Sequence, residues 1–184
     1  MAFTGVATYY GARVSQDQLD QSIEDSEREA RSQATQVSFW FEGQGTENLV
    51  LHVMNRSPDP VGASQMRFQL RIFSADESEP DTMASAQIIL DPLPPCSLQT
   101  IEPGQLRTRS ADGERAKLPR RIMYVTDRYF AFRDRNGRGW GRLDDRLVSM
   151  KALAKYEPVH NKVAVELVGT PKRISAPECG DNAK

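Results

Sequence analysis

Residues 129–142 constrain the fold of this chain more than any other segment. Aromatic residues alternate with other residues as far as the pair Asn136-Gly137, and Trp140 follows on the return. An Asn-Gly pair can hold both of its residues at positive φ, as the type I′ turn between two right-twisted strands requires. The segment therefore predicts a tight β-hairpin and a protein built from antiparallel strands.

Alternating apolar and polar residues mark further strands along the chain. In residues 66–73 four apolar side chains fall on one face, and a one-residue slip of register would turn that whole face to water. Weaker strand patterns lie at residues 37–42, 49–54, 87–90, 98–101, 122–125 and 163–168. Seven or eight short strands separated by turns are typical of an immunoglobulin-like or fibronectin-like antiparallel β-sandwich. We predict this mainly β fold for residues 36–169.

A polar helix is predicted ahead of the β domain, over residues 15–35. Ser15, followed three positions later by Gln18, matches a capping box at its start. A thin apolar stripe consists of Leu19, Ile23, Ala30 and Ala34. A helix this polar buries little, so it is either a solvated stalk or one member of a weak helical pair. A partner-binding helix is the sharper alternative.

The remaining segments carry weaker patterns. Residues 1–10 are small and apolar and end in two tyrosines, like the last turns of a membrane helix. They are either the remnant of a longer anchored form or a short docking segment, although no run approaches the ~18–20 apolar residues that cross a bilayer. Residues 102–120 are predicted to be a long polar loop, and residues 170–184 a disordered tail. The domain boundaries are therefore expected at residues 35 and 169.

The chain contains two cysteines, Cys96 and Cys179. They are too few for a disulfide scaffold, and neither lies in a metal-ligand spacing. Because Cys179 falls in the predicted tail, we expect both thiols to be free, with a Cys96–Cys179 bridge as the less favoured alternative. A reduced, cytoplasmic location follows, with tethering to the inner face of the cell membrane as a further alternative.

Charge is divided unevenly along the chain. Residues 1–104 carry 6 Lys and Arg against 15 Asp and Glu, whereas residues 105–155 carry 14 against 6. Such a division indicates an electrostatic partner, either elsewhere in the same molecule or outside it. Two faces that attract each other within the fold, or across a homo-oligomer, are the simplest interpretation.

An arginine-rich region around the hairpin is the candidate partner-binding surface. Its members are Arg120, Arg121, Arg128, Arg133, Arg135, Arg138 and Arg142, with Arg146 close behind. Arginines interleaved with exposed aromatic rings would suit single-stranded nucleic acid. Alternation instead places Phe130 and Phe132 on one face, most economically the core, and Trp140 with them. The arginines left outside could meet acidic protein surface or anionic lipid headgroups equally well.

Catalytic and metal-binding patterns are weak. His52 alternates within a strand, and no serine stands in a Gly-x-Ser-x-Gly elbow. Asp144-Asp145 follows a predicted strand, where turn formation explains both residues. The run from Asp134 to Gly137 lacks the later ligands and the closing glutamate of a calcium loop, so we interpret it as a turn. We therefore expect no enzymatic activity, no cofactor and no metal.

Four segments together resemble a family of uncharacterised actinobacterial proteins. They are residues 36–42, residues 49–61 with an Asn-x-Ser-x-x-Pro-Val turn, residues 93–95, and residues 132–140 with an Asp-x-x-Gly-x-x-Trp hairpin. The resemblance covers roughly residues 15–148 and implies a short membrane anchor, a polar helix and a small β-sandwich. It implies no known activity or site residues.

The expected function is that of a non-enzymatic interaction or accessory module. Its partner is expected to be another protein or a second copy of the chain, recognised through sheet edges and the charge division. Nucleic-acid binding through residues 120–146 is the alternative, and a membrane surface could be contacted through the N-terminus.

Overall fold

A computed structural model describes residues 3–74, 80–119, 121–156 and 163–179, with backbone only at residues 3–12 and 17. In chain order the elements are α1 (Phe3–Thr35), β1 (Val37–Glu42), β2 (Val50–Asn55), β3 (Gly62–Ile72), β4 (Thr82–Leu90), β5 (Ser97–Ile101), a 3-10 turn (Pro103–Gln105), β6 (Leu106–Arg109), β7 (Arg115–Lys117), β8 (Met123–Arg133), β9 (Gly139–Leu143), β10 (Arg146–Ser149), α2 (Met150–Leu153), β11 (Val163–Leu167) and β12 (Lys172–Ser175). Within these ranges, no helix has both the length and the apolar composition needed to cross a membrane.

The strands form two sheets that enclose one core. The four-stranded sheet has the order β1-β2-β5-β12, and the eight-stranded sheet has the order β10-β9-β8-β3-β4-β11-β6-β7. Neighbouring strands are antiparallel except β4 and β11, which are parallel. The predicted mainly β sandwich behind one N-terminal helix is confirmed. The described residues form more strands than the seven or eight expected, and an immunoglobulin-like connectivity stays a prediction.

Strand β3 lies in the middle of the eight-stranded sheet, between β4 and β8. The four alternating side chains predicted to share a buried face, Met66, Phe68, Leu70 and Ile72, are each at most 4% exposed. Burial of four such side chains contributes a gross ~6–12 kcal/mol before conformational entropy is subtracted. The apolar alternation in residues 66–73 therefore predicted the buried face of β3 correctly.

The β8–β9 hairpin is present, but its turn differs from the predicted type I′. The Gly137 N–H donates to the Asp134 carbonyl at 2.9 Å. Gly137 alone of the Asn-Gly pair is left-handed, with φ 78°. This is a type I turn followed by a left-handed glycine, a common longer hairpin connection. The prediction was wrong because it took the Asn-Gly pair as the whole turn, although the turn already begins at Asp134.

Helix α1 begins at Phe3 and runs straight through the predicted start at Ser15. A capping box starts a helix only where the preceding backbone is not helical, and here that backbone already is. The stripe residues Ala30 and Ala34 are buried, whereas Leu19 and Ile23 are 61% and 51% exposed. Only the C-terminal end of α1 therefore packs on the β domain.

The predicted loop at residues 102–120 was wrong, because it contains the 3-10 turn and the β6–β7 hairpin. Its register pairs include Arg107 with Lys117 and Arg109 with Arg115. This hairpin ends the eight-stranded sheet, and every residue of β7 is exposed. A strand without a buried face has no apolar alternation, so the pattern could not reveal it.

The predicted disordered tail was also wrong for the described residues up to 179. Strand β12 pairs with β5, and a disulfide joins Cys96 to Cys179 with Cα atoms 5.3 Å apart. The expectation of two free thiols is corrected by the same bond. All four side chains of β12 are exposed, so composition gave no strand signal. Residues 180–184 lie outside the described part of the chain.

Candidate interaction surface

The arginines predicted to form one partner-binding surface are not brought together as a free patch. Arg120 lies outside the described residues. The guanidinium of Arg121 lies 3.4 Å from the Ser74 hydroxyl, at the opposite end of β3 from the hairpin turn. The other five predicted arginines lie on β8, β9 and the turn between them, and each makes a contact within the chain.

Arg135 holds the C-terminal part of α1 against the hairpin turn. Its guanidinium donates to Glu29 at 2.6 Å and to Asp59 at 3.0 Å. The hydrogen bond to Glu29, with the charge of Asp59, raises the pKa of Arg135 above its ordinary value. The backbone N–H of Arg135 also donates to the Gln33 side chain at 3.2 Å. One residue of the turn thus contacts two successive turns of the helix.

Arg142 and Arg138 extend this contact along the helix. Arg142 donates to the carbonyl of Thr35, the last residue of α1, at 2.8 Å. A cation at this end of a helix meets unpaired carbonyls and the negative end of the helix dipole. Burial lowers the pKa of Arg142, against the opposing effect of Asp145. Arg138 lies 3.6 Å from Glu27.

The two remaining arginines are engaged nearer to their own strand. Arg128 forms an ion pair with Asp144, and Arg133 donates to the carbonyl of Gly137 at 2.7 Å. Of the five arginines, Arg135 and Arg138 thus meet acidic side chains of the N-terminal half inside the fold, which agrees with the simplest interpretation of the charge division. We call Arg135, Arg138 and Arg142 the helix clamp.

The aromatic rings beside the arginines are sealed in the core. Phe130 and Phe132 are fully buried, and Trp140 is 6% exposed. The Trp140 indole N–H donates to the buried carboxylate of Asp134 at 2.9 Å. The other oxygen of Asp134 accepts the backbone N–H groups of Asn136 and Arg138, each at 2.9 Å. This confirms both the predicted burial of the rings and the interpretation of Asp134 as a turn residue.

The Asn-x-Ser-x-x-Pro-Val motif is likewise structural. Asn55 is fully buried and donates to the carbonyls of Asp59 and Pro94, at 2.9 and 3.0 Å. The Ser57 N–H and hydroxyl both donate back to the Asn55 side-chain oxygen, at 3.0 and 2.8 Å. The motif thus joins two loops of the sandwich and leaves no group for chemistry.

A cleft lies at the β1 edge of the four-stranded sheet, and it is a second candidate for a binding surface. Phe39 and Phe41 of β1 pack against Phe130 of β8 and Phe68 of β3, with ring centroids 6.1 and 5.0 Å apart. Strand β1 therefore lies over β8 and β3. The two outer strands β9 and β10 extend beyond β1 and form an overhang that the four-stranded sheet does not cover. The end of α1 covers part of this overhang, since Ala34 is fully buried.

The rest of the overhang is a cleft of ≈ 330 Å³. Its lining residues are Ser38, Phe39, Trp40, Arg128, Arg142, Asp144 and Asp145. Trp40 points outward and is 37% exposed. Its indole stacks on His52, with ring centroids 4.9 Å apart and planes 14° from parallel. One face of the indole is thus covered by the imidazole, while the side chain as a whole lines the cleft.

The backbone of β1 is open along this cleft. The Arg56 N–H donates to the Gln36 carbonyl at 3.1 Å, and the register continues as Ser38 with Met54 and Trp40 with His52. Hydrogen-bonded pairs alternate along an antiparallel ladder. The N–H and C=O groups of residues 37, 39 and 41 therefore point away from β2. Val37 is fully buried, but because β1 ends its sheet the groups of Phe39 and Phe41 form an open edge that another strand can pair with.

His52 stacks on Trp40 and has a polar neighbour at each ring nitrogen. Its Nε2 lies 3.1 Å from a Glu42 oxygen and its Nδ1 lies 3.3 Å from the Thr100 hydroxyl. A hydroxyl, an imidazole and a carboxylate in contact are the parts of a nucleophilic site. All three project from the middle or end of paired strands, where the backbone N–H groups that could stabilise an oxyanion are used in the ladder. The contacts instead fix the imidazole against the indole.

Sequence reasoning missed the open edge and the cleft. The outward position of Trp40 in the run Val-Ser-Phe-Trp-Phe-Glu was the available signal, because its neighbours alternate inward. Nothing in the run indicates that β1 ends its sheet or that β9 and β10 extend past it. Among the described residues, no group of three or more His, Cys, Asp and Glu is placed to hold a metal ion.

Comparison with known proteins returned no matching family model, no matching curated protein and no matching solved structure. Membership of the actinobacterial family therefore stays a prediction, and the function must be argued from the surface itself.

Proposed function

We propose that this protein is a non-enzymatic interaction module that binds an extended segment of a protein partner by strand addition to β1. The observation that carries the proposal is the open backbone edge at Phe39 and Phe41, beside a cleft with Trp40 on its wall. In strand addition the main chain supplies hydrogen bonds, and pockets for alternate side chains supply specificity.

The composition of the cleft supports this mode of binding. Trp40 is partly exposed, and tryptophan is one of the residue types enriched among those that dominate binding energy at protein interfaces. Arg128 and Asp144 neutralise each other, so the cleft has no strong charge of one sign. A strand paired with β1 would place every second side chain over β9 and β10, against the cleft residues. The energy of binding would then come from main-chain pairing and the indole rather than from charge.

A library of short linear peptides selected on the whole folded protein tests this proposal. The amides of Phe39 and Phe41 are expected to gain hydrogen-exchange protection when a selected peptide binds. Trp40→Ala is expected to weaken binding by about tenfold or more. Tyr124→Ala is the matched control, because Tyr124 is an exposed aromatic residue on the other sheet, 46% exposed. Selected peptides that leave the exchange of these two amides unchanged would overturn the proposal.

Nucleic-acid binding through residues 120–146 is the weaker candidate. The buried rings of Phe130, Phe132 and Trp140 offer no stacking surface, and the helix clamp is already paired with α1. A salt titration with generic DNA and RNA tests it: a steep loss of affinity with salt supports the candidate, and no binding at low salt removes it.

We also place the protein in an oxidising compartment, in preference to the cytoplasm expected from the sequence. The Cys96–Cys179 disulfide supports this location, because structural disulfides persist where thiols are not continuously reduced. Alkylation of free thiols in freshly lysed cells tests it. A protein that is modified at both cysteines without prior reduction would contradict the proposed location. Tethering to a membrane through the N-terminus stays a prediction.

A further inference from the structure

The strand at the other edge of the four-stranded sheet is attached in an unusual way. Strand β12 pairs with β5 over four residues, and the Ala176 N–H continues the ladder to the Cys96 carbonyl at 2.8 Å. In residues 172–179 only Ala176 is buried, at 8% exposure. Side-chain burial therefore contributes little to the attachment of β12.

The disulfide is the strongest link between β12 and the rest of the molecule. It joins cysteines 83 residues apart, and so removes many detached conformations from the chain. Cys179 also lies beside the buried Asn55–Ser57 turn, with its sulfur 3.2 Å from the Arg56 carbonyl. Without the covalent bond, β12 is held mainly by a short exposed ladder.

The connection that precedes β12 is suited to act as a hinge. Residues 168–171 cross from β11 in the eight-stranded sheet to β12 in the four-stranded sheet, and Gly169 has φ 87°. Gln105 holds this connection, accepting the Val168 N–H at its carbonyl and donating its side-chain amide to the Thr170 carbonyl, each at 2.7 Å. A change at these few residues would swing β12 away and leave β11 paired.

We propose that the β5 edge is a docking site for the β12 strand of a second copy of this chain, opened when the disulfide is reduced. The occupant is the one that the structure already shows on this edge, since an exchanged strand makes the same contacts between copies as it makes within one. This inference does not rest on the proposed function, because the β1 and β5 edges lie on opposite sides of the sheet.

Strand exchange requires two thiol–disulfide reactions, one that reduces the disulfide within each copy and one that forms it again between copies. A dithiol reductant attacks one sulfur of Cys96–Cys179, both cysteines leave as thiols, and the reductant becomes a disulfide. After exchange, a small-molecule disulfide takes up the electrons again. Cys96 of each copy then bonds to Cys179 of the other, and each of these two bonds consumes one molecule of the oxidant, which leaves as two thiols.

Two single-cysteine variants test the exchange. Cys96→Ser and Cys179→Ser, carrying tags of different mass, are mixed as full-length folded proteins at high concentration and oxidised with glutathione disulfide. Docking brings only Cys96 of one variant against Cys179 of the other. The covalent heterodimer is therefore expected in about tenfold excess over either homodimer on a non-reducing gel, with the Cys96–Cys179 peptide found by mass spectrometry. Heterodimer at or below the statistical proportion would overturn the proposal.

A pair of neighbouring proline variants provides the control. Because Ala176 bonds to Cys96, the alternation of the ladder directs the Ile174 N–H towards β5 and the Arg173 N–H to the outside. In the Cys96→Ser background, Ile174→Pro is expected to reduce heterodimer formation about tenfold, whereas Arg173→Pro leaves it unchanged. Equal yields from the two proline variants would show that the strand is not docked on β5, and would overturn the proposal.

Discussion

The β8–β9 hairpin and strand β12 belong to one sandwich but are held in it by different means. The hairpin carries Phe130 and Phe132, both fully buried, whereas all four side chains of β12 are exposed. The hairpin is held by burial of large rings, and β12 by a backbone ladder and one disulfide. Removing a buried side chain should therefore destabilise the β8–β9 hairpin, whereas breaking the disulfide should destabilise the attachment of β12.

The largest expected effect is in the hairpin. Phe130→Ala should lower the free energy of unfolding by about 3–5 kcal/mol, because it removes buried apolar surface and leaves a cavity. The midpoint of urea unfolding measures the loss. Tyr124→Ala, on the same strand but with a side chain that is 46% exposed, should lose under about 1 kcal/mol. Similar losses in the two variants would break the comparison.

The next largest effect is at the C-terminal segment. Cys179→Ser should lower the free energy of unfolding by about 2–4 kcal/mol under oxidising conditions, because the 83-residue link no longer restrains the unfolded chain. The same urea measurement with a dithiol present is the control, and there the variant and the reduced natural protein should coincide. A gap that persisted after reduction would mean that the serine itself disturbs the fold.

The same contrast explains what the sequence could predict. The alternation around Phe130 and Met66 records burial directly, so the hairpin, the central strand and the sandwich were predictable. Strands β7 and β12 have no buried face, so no periodicity marks them. They exist because a partner strand and a covalent bond, set by distant parts of the chain, hold them in place.

The candidate site shows the same limit. The arginines were predicted from their clustering, but their partners could not be. Arg135 and Glu29 are 106 positions apart, and only the three-dimensional fold brings them together. The outward Trp40 was visible in the sequence, whereas the open edge beside it depends on the strand order of both sheets.

A smaller effect is expected from the buried contact that closes the hairpin. Asp134→Ala should lower the free energy of unfolding by about 1–3 kcal/mol, because it leaves buried N–H donors without an acceptor. A double-mutant cycle sharpens the test. Asp134→Ala and Trp140→Phe together should lose less than the sum of the single losses, with a coupling of about 1 kcal/mol for the shared hydrogen bond. Strict additivity would show that the indole N–H gains nothing from the carboxylate.

The smallest expected effect is on the outer face of β12. Ile174 is 51% exposed, so Ile174→Ala should change the free energy of unfolding by less than about 0.5 kcal/mol. Ile88→Ala is the matched truncation in the core, where the side chain is 1% exposed and the loss should reach about 2–5 kcal/mol. A large loss at Ile174 would mean that its face is covered in solution. If that loss grew with protein concentration, the cover would be a second copy of the chain, because only an intermolecular contact depends on concentration.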